Sequence, residues 1–61
     1  MAIHRSQVPN ELLDSAIRWE SLREAMFRSL GRQDQADECQ GLAQIYTARL
    51  ADLLQEHLSN V

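Results

Sequence analysis

The second half of the chain carries the plainer pattern of apolar and polar positions. Ala36, Cys39, Ala43, Tyr46, Leu50, Leu53 and His57 alternate at steps of three and four, the a/d seam of a packed helix. Leu42 and Leu54 widen that seam. The first half presents Leu12, Ala16, Trp19, Leu22, Met26 and Leu30 along one helical face. Leu13, Ile17 and Phe27 make a second stripe, offset by about a quarter turn, and Leu54 and Leu58 lean the same way on the second half.

Punctuation sets the boundaries. Pro9 suits a first helical turn, which needs no amide donor from it, and Glu11 and Asp14 follow at the positive end of the macrodipole. No breaker intervenes before Leu30. Gly31 then stands where a left-handed C-cap is expected, with Arg28 in the last turn, the end that favours a cation. Asp34 is a candidate N-cap for the next helix, followed by Asp37 and Glu38. The pattern predicts a single domain over 1–61: a flexible N-terminus over 1–7, helix over 9–30, turn over 31–33, helix over 34–58, and a frayed end. So short a link makes the helices antiparallel neighbours, and the expected fold is an all-α two-helix hairpin.

Folding the chain at Gly31–Gln33 pairs Leu30 with Ala36, Met26 with Cys39, Trp19 with Tyr46, Ala16 with Leu50 and Leu12 with Leu53. Large meets small in several of these layers, as a dense core requires. The expected core is therefore Leu12, Ala16, Trp19, Met26 and Leu30 against Cys39, Ala43, Tyr46, Leu50 and Leu53. One hairpin cannot also cover the second stripe, which left wet would be adhesive. Leu13, Ile17, Phe27, Leu54 and Leu58 are thus expected at an interface, with a second copy in a four-helix bundle or with another protein. Glu20 and Arg23 fall within the same arc, three residues apart, where they can pair. They read either as a rim between the stripes, stems packed and charges in water, or as a charged interface pair that fixes register.

Size sharpens that inference. A chain of 61 residues has a core that rarely supplies more than about 3–5 kcal/mol. Small folds compensate with disulfides, metals or oligomerisation. Cys39 is the single cysteine, which excludes an internal disulfide. With only His4 and His57 beside it, no closed zinc site forms without carboxylates. Oligomerisation is the remedy left.

Charge and chemistry narrow the function. The net charge of −3 argues against a general nucleic-acid binder, since phosphate affinity rests on basic neutralisation. All six basic side chains are arginines, suited to bidentate interface contacts. The N-terminus lacks the apolar run of a signal peptide, and nothing approaches the roughly 18 apolar residues of a membrane span. With a free thiol, a cytoplasmic setting is expected.

No catalytic constellation forms. Cys39 lies on the core seam, and His57 is about 27 Å along the same helix, too far to activate it. Asp37 and Glu38 point to different sides and serve the helix start, while Asp52 and Glu56 form a solvated acidic face. Gly41, with Ile45 and Ala48, makes a smooth ridge opposite the seam, open to close approach or merely tolerated. No enzyme activity, cofactor, metal, membrane or small-molecule substrate is expected.

One segment carries a resemblance. Gln35-Ala36-Asp37-Glu38-Cys39, with Leu42 after it, resembles the start of the second helix of the Rop (Rom) family of plasmid copy-number regulators. The resemblance covers about nine positions around the turn. It implies a hairpin that dimerises into an antiparallel four-helix bundle and binds paired RNA stem-loops through its first helices. Aligned on Cys39, the chain places Glu11, Ser15, Trp19 and Met26 where that family carries its RNA-contacting asparagine, phenylalanine, glutamine and lysine. No RNA-contacting residue carries over, and the same register puts Glu20, Arg23 and Arg49 into core layers. The leading expectation is a non-enzymatic regulator, adaptor or inhibitor, of the kind found among phage or plasmid accessory proteins, acting by helix packing on a partner and self-associating. The alternative is a homodimeric RNA-binding regulator of the Rop type.

Overall fold

The computed structural model describes residues 8–59. The stretch 1–7, expected to be flexible, and positions 60 and 61 lie outside the described residues. The chain is an all-α hairpin of two helices packed along each other, α1 (Leu13–Ser29) and α2 (Gln33–Ser59). A single 3-10 turn, Asn10–Leu12, leads into α1. Pro9 stands outside that turn with an extended ψ of 148°. Its carbonyl accepts from Leu12 N–H at 2.9 Å, so the helical rise begins one residue later than expected.

The reversal follows from one glycine. Gly31 has φ +76°, the left-handed region that costs other residues. Two backbone bonds close around it: Arg32 N–H donates to Phe27 O at 2.8 Å and Gly31 N–H to Arg28 O at 3.1 Å. That pair is a Schellman motif, which satisfies carbonyls the helix end would leave open. Ala36 N–H then donates to Arg32 O at 3.0 Å, opening α2 at Gln33. Asp34 is accordingly in the first turn of α2 rather than at its cap, still at the positive end of the dipole. A Cβ added at Gly31 would meet nothing within 4 Å, so Gly31→Ala is purely a conformational change. It is expected to lower hairpin stability by about 1–2 kcal/mol, read from thermal or urea denaturation.

On α2 the inward line follows the seam seen in the sequence. Ala36, Cys39 and Tyr46 are buried, and Ala43, Leu50 and Leu53 are half-buried. On α1 the structure corrects the sequence reading. Leu13 is 0% exposed and Glu20 6% exposed, with Ile17, Glu24 and Phe27 half-buried beside them. These five step by four, three, four and three, and are the line α1 turns to α2. Leu13, Ile17, Glu20 and Phe27 were expected at an outer interface. They lie instead in the hairpin seam. Leu12, Trp19, Met26 and Leu30, expected in the core, are exposed, and Ala16 is half-buried between the two lines.

Two arginine clamps account for that rotation of α1. Near the turn, Arg28 Nε donates to Glu24 Oε2 at 3.0 Å and one Nη to Gln33 Oε1 at 2.8 Å. Its other Nη reaches Asp37 Oδ1 and Gln40 Oε1 on α2, both at 3.3 Å. At the far end, Arg49 donates to Val8 O at 2.9 Å and to Asn10 Oδ1 at 3.1 Å. Turning the more apolar stripe inward would rotate α1 by about a third of a turn and carry Arg28 away from α2. Burying Glu20 is tolerated because Arg23 meets it at 2.9 Å, since a buried charge must be paired. Small Ala36, Cys39 and Ala43 leave room for both helices to approach.

Candidate interaction surface

With Leu13, Ile17 and Phe27 facing α2, the other stripe of α1 is left in water. Trp19 is 61% and Leu22 68% exposed, Leu30 is similarly open, and Leu12 and Met26 are about half exposed. Ile45 is exposed on α2. These belong to one side of the molecule: Arg23 and Phe27 of α1 line a shallow groove with Gln35, Glu38, Cys39 and Leu42 of α2. Trp19 and Met26 stand one turn either side of Arg23, and Ile45 one turn beyond Leu42. In antiparallel helices, offsets of the same sense from the inward line fall on the same side. The apolar stripe of α1 and the Leu42–Ile45 edge therefore form a continuous face. The opposite side is polar, carrying Arg28, Asp37 and Gln40.

Contiguous exposed apolar strips are uncommon on monomeric proteins. Leu54 and Leu58, expected at the interface, are exposed near the end of α2, to the polar side of its seam and separate from the strip. Gly41 is half-buried and a Cβ there would meet nothing within 4 Å, so no close approach within the hairpin requires it. Sequence reasoning found the stripe Leu12–Trp19–Met26–Leu30 but assigned it to the wrong side of α1. The signal that could have corrected this was Arg28: only the observed rotation brings it over Asp37.

Among the described residues of the α1 strip, Arg23 is the one cation. It is held to Glu20 Oε1 at 2.9 Å and lies over the Phe27 ring, 5.6 Å from the centroid, within cation–π range. Its guanidinium is thus held between the apolar stripe of α1 and the groove walled by Gln35 and Glu38. Arg18 pairs with Asp14 at 3.0 Å, and Arg28 with Glu24 and Asp37 at 2.9 and 3.3 Å. Each of the three arginines of α1, Arg18, Arg23 and Arg28, is thus held by a carboxylate. The Glu24 hydrogen bond, most of all, and the hydrogen bond and charge of Asp37 raise the Arg28 pKa against a smaller opposing effect of desolvation.

Cys39 sits beneath the groove, a free and buried thiol. Burial pushes its pKa up, and the hydrogen-bonded Glu20 carboxylate adds to the rise, while Arg23 pulls the other way. A thiol held protonated is a poor nucleophile. Native Cys39 is expected to react with a disulfide reagent at neutral pH far more slowly than the urea-unfolded chain. The linkage has a sign. Because the folded state keeps the proton longer, this thiol's contribution is full below the ordinary thiol range. It declines as pH rises through that range toward the folded value. Denaturation midpoints above neutrality, compared with Cys39→Ala, check it.

Among the described residues, no group of three or more histidine, cysteine or acidic side chains could hold a metal ion, and no helix is long and apolar enough to cross a membrane. Fold and surface define a class: a helical hairpin whose first helix keeps an apolar seam open to solvent. No protein-family model, no curated protein and no solved structure matches this chain.

Proposed function

We propose that this chain is a non-enzymatic interaction module, a small regulator, adaptor or inhibitor that acts by packing the open seam of α1 against another polypeptide helix. One observation carries the reading. Five large apolar side chains, Trp19, Leu22 and Met26 of α1 with Leu12 and Leu30 at its two caps, are exposed, while the charged groups of α1 are paired off. Helix-in-groove and helix-to-helix contacts are read through anchors at this spacing, and aromatic anchors such as Trp19 concentrate the binding energy. The α1 arginines support the same reading from the other direction, since each engaged carboxylate must be displaced before phosphate can bind.

The test compares tagged wild-type protein with a Trp19→Glu, Met26→Glu variant as bait in cells of the source, with captured protein and RNA both identified. Protein partners, the chain itself included, should be retained by the wild type and lost with the variant. RNA captured equally by both, with affinity falling steeply as salt rises, would replace this reading by an RNA-binding one.

A further inference from the structure

The open seam of α1 has an internal symmetry that admits an antiparallel copy of itself. Leu12, Ala16, Trp19, Arg23, Met26 and Leu30 step by four, three, four, three and four, so the series reads the same in both directions about Ser21. We infer that the seam is covered by α1 of a second copy of this chain, antiparallel, with a twofold axis at the level of Ser21. The inference rests on the reading above, that this face binds a polypeptide, and specifies which one.

In that register Leu12 meets the partner's Leu30, Ala16 meets the partner's Met26, and Trp19 meets the partner's Arg23. Each pair joins an a to a d position of the same seam, as antiparallel helix packing requires. The chemistry matches at every layer. The two leucines close the ends. The smallest side chain of the series lies against its longest flexible apolar one, the large-against-small fit of a dense layer. The single charge of the seam lies against the single indole. Arg23 is already held in place by Glu20 and Phe27, so a cation is pre-positioned for the face of the partner's Trp19. A twofold axis makes the contact twice, and an isologous interface of this type is the commonest in soluble oligomers.

The extent of the face fits as well. The hairpin measures 46 × 22 × 14 Å. From Leu12 to Leu30 α1 runs roughly 27 Å. Across the 22 Å width of the hairpin, that length presents about 600 Å² in projection and more as accessible surface, near the about 800 Å² each partner gives a standard interface. Leu42 lies close to the level of the axis and would close the α2 side of the same contact.

Two single-cysteine additions test the register in the full chain. Ala16→Cys and Met26→Cys are prepared separately with Cys39 retained, and each is checked for native helicity. They are then oxidised mildly, alone and as a mixture. Linked peptides are mapped by mass spectrometry, which separates position 16, position 26 and Cys39. Sedimentation of the unmodified chain runs alongside. The proposal expects a dimer, and a 16-to-26 disulfide formed in the mixture and absent from either variant alone. A dimer giving 16-to-16 or 26-to-26 links, or no link, overturns this register while leaving the binding face in place. A native chain that stays monomeric at all concentrations overturns the second copy as occupant. The capture experiment above then decides separately whether the face binds another protein. Should either variant lose helicity, Leu12→Cys with Leu30→Cys gives the same readout from the end layer, with the same outcomes.

Discussion

Leu13→Ala is expected to leave the chain largely unfolded in dilute solution at 25 °C. Leu13 is completely buried between the helices, and removing a leucine from such a site costs about 2–5 kcal/mol in lost transfer energy and residual cavity. A hairpin of this size holds only about 3–5 kcal/mol in total, so one substitution removes most of it. The neighbouring residue supplies the control. Leu12 is about half exposed, and Leu12→Ala should leave the helical signal of the dilute chain nearly intact. Far-ultraviolet circular dichroism at low concentration reads both. The contrast decides which stripe of α1 faces α2: equal loss from the two, or greater loss from Leu12→Ala, would reverse the rotation described above.

Trp19→Ala is expected to have the complementary phenotype, with the hairpin preserved and association weakened by about a thousand-fold. A well-packed interface tryptophan is worth about 2 kcal/mol or more. In a symmetric dimer it is lost twice, and about 4 kcal/mol corresponds to roughly three decades in Kd. Because Trp19 touches solvent over most of its surface in the single chain, helicity of the monomer should not change. Apparent stability at high concentration should fall with the loss of assembly, because a partner that binds only the folded chain adds to its stability by mass action. Sedimentation equilibrium gives the association constant, and denaturation at two concentrations gives the linkage.

Those two residues also show where the sequence was legible and where it was not. The helices, the glycine at the reversal and the α2 seam could be read directly, because each rests on local chemistry: step size, a left-handed backbone position, charges at helix ends. Which stripe of α1 faces inward is a different kind of fact. Leu12, Ala16, Trp19, Met26 and Leu30 form the more apolar line, and local patterning alone assigns them to the core. The line that is actually buried contains Glu20 and Glu24, which patterning counts against it. What tips the choice is non-local. Arg28 and Arg49 reach across the hairpin to Asp37, Gln40, Val8 and Asn10, and Arg23 neutralises Glu20. Charges that looked like interruptions are internal partners. Ile17 and Phe27, expected outside, are half-buried against α2, and Trp19 and Leu22 are the exposed apolar side chains of α1 in their place.

The same exchange changes what Glu20 and Arg23 do. As a rim pair they would have been interchangeable. With Glu20 buried against the Cys39 thiol, the carboxylate belongs to the hairpin and the guanidinium to its outer face. One ion pair thereby couples the inner seam to the exposed strip of α1.

Trp19 is the only tryptophan, so its fluorescence reports on the open seam with no added probe. Recorded against chain concentration, its emission should move to shorter wavelength and become protected from acrylamide quenching, with a midpoint that matches dimer formation by sedimentation. Emission that stays red-shifted and freely quenched at every concentration, while the hairpin remains folded, would contradict the claim that the exposed face of α1 is covered by a second copy.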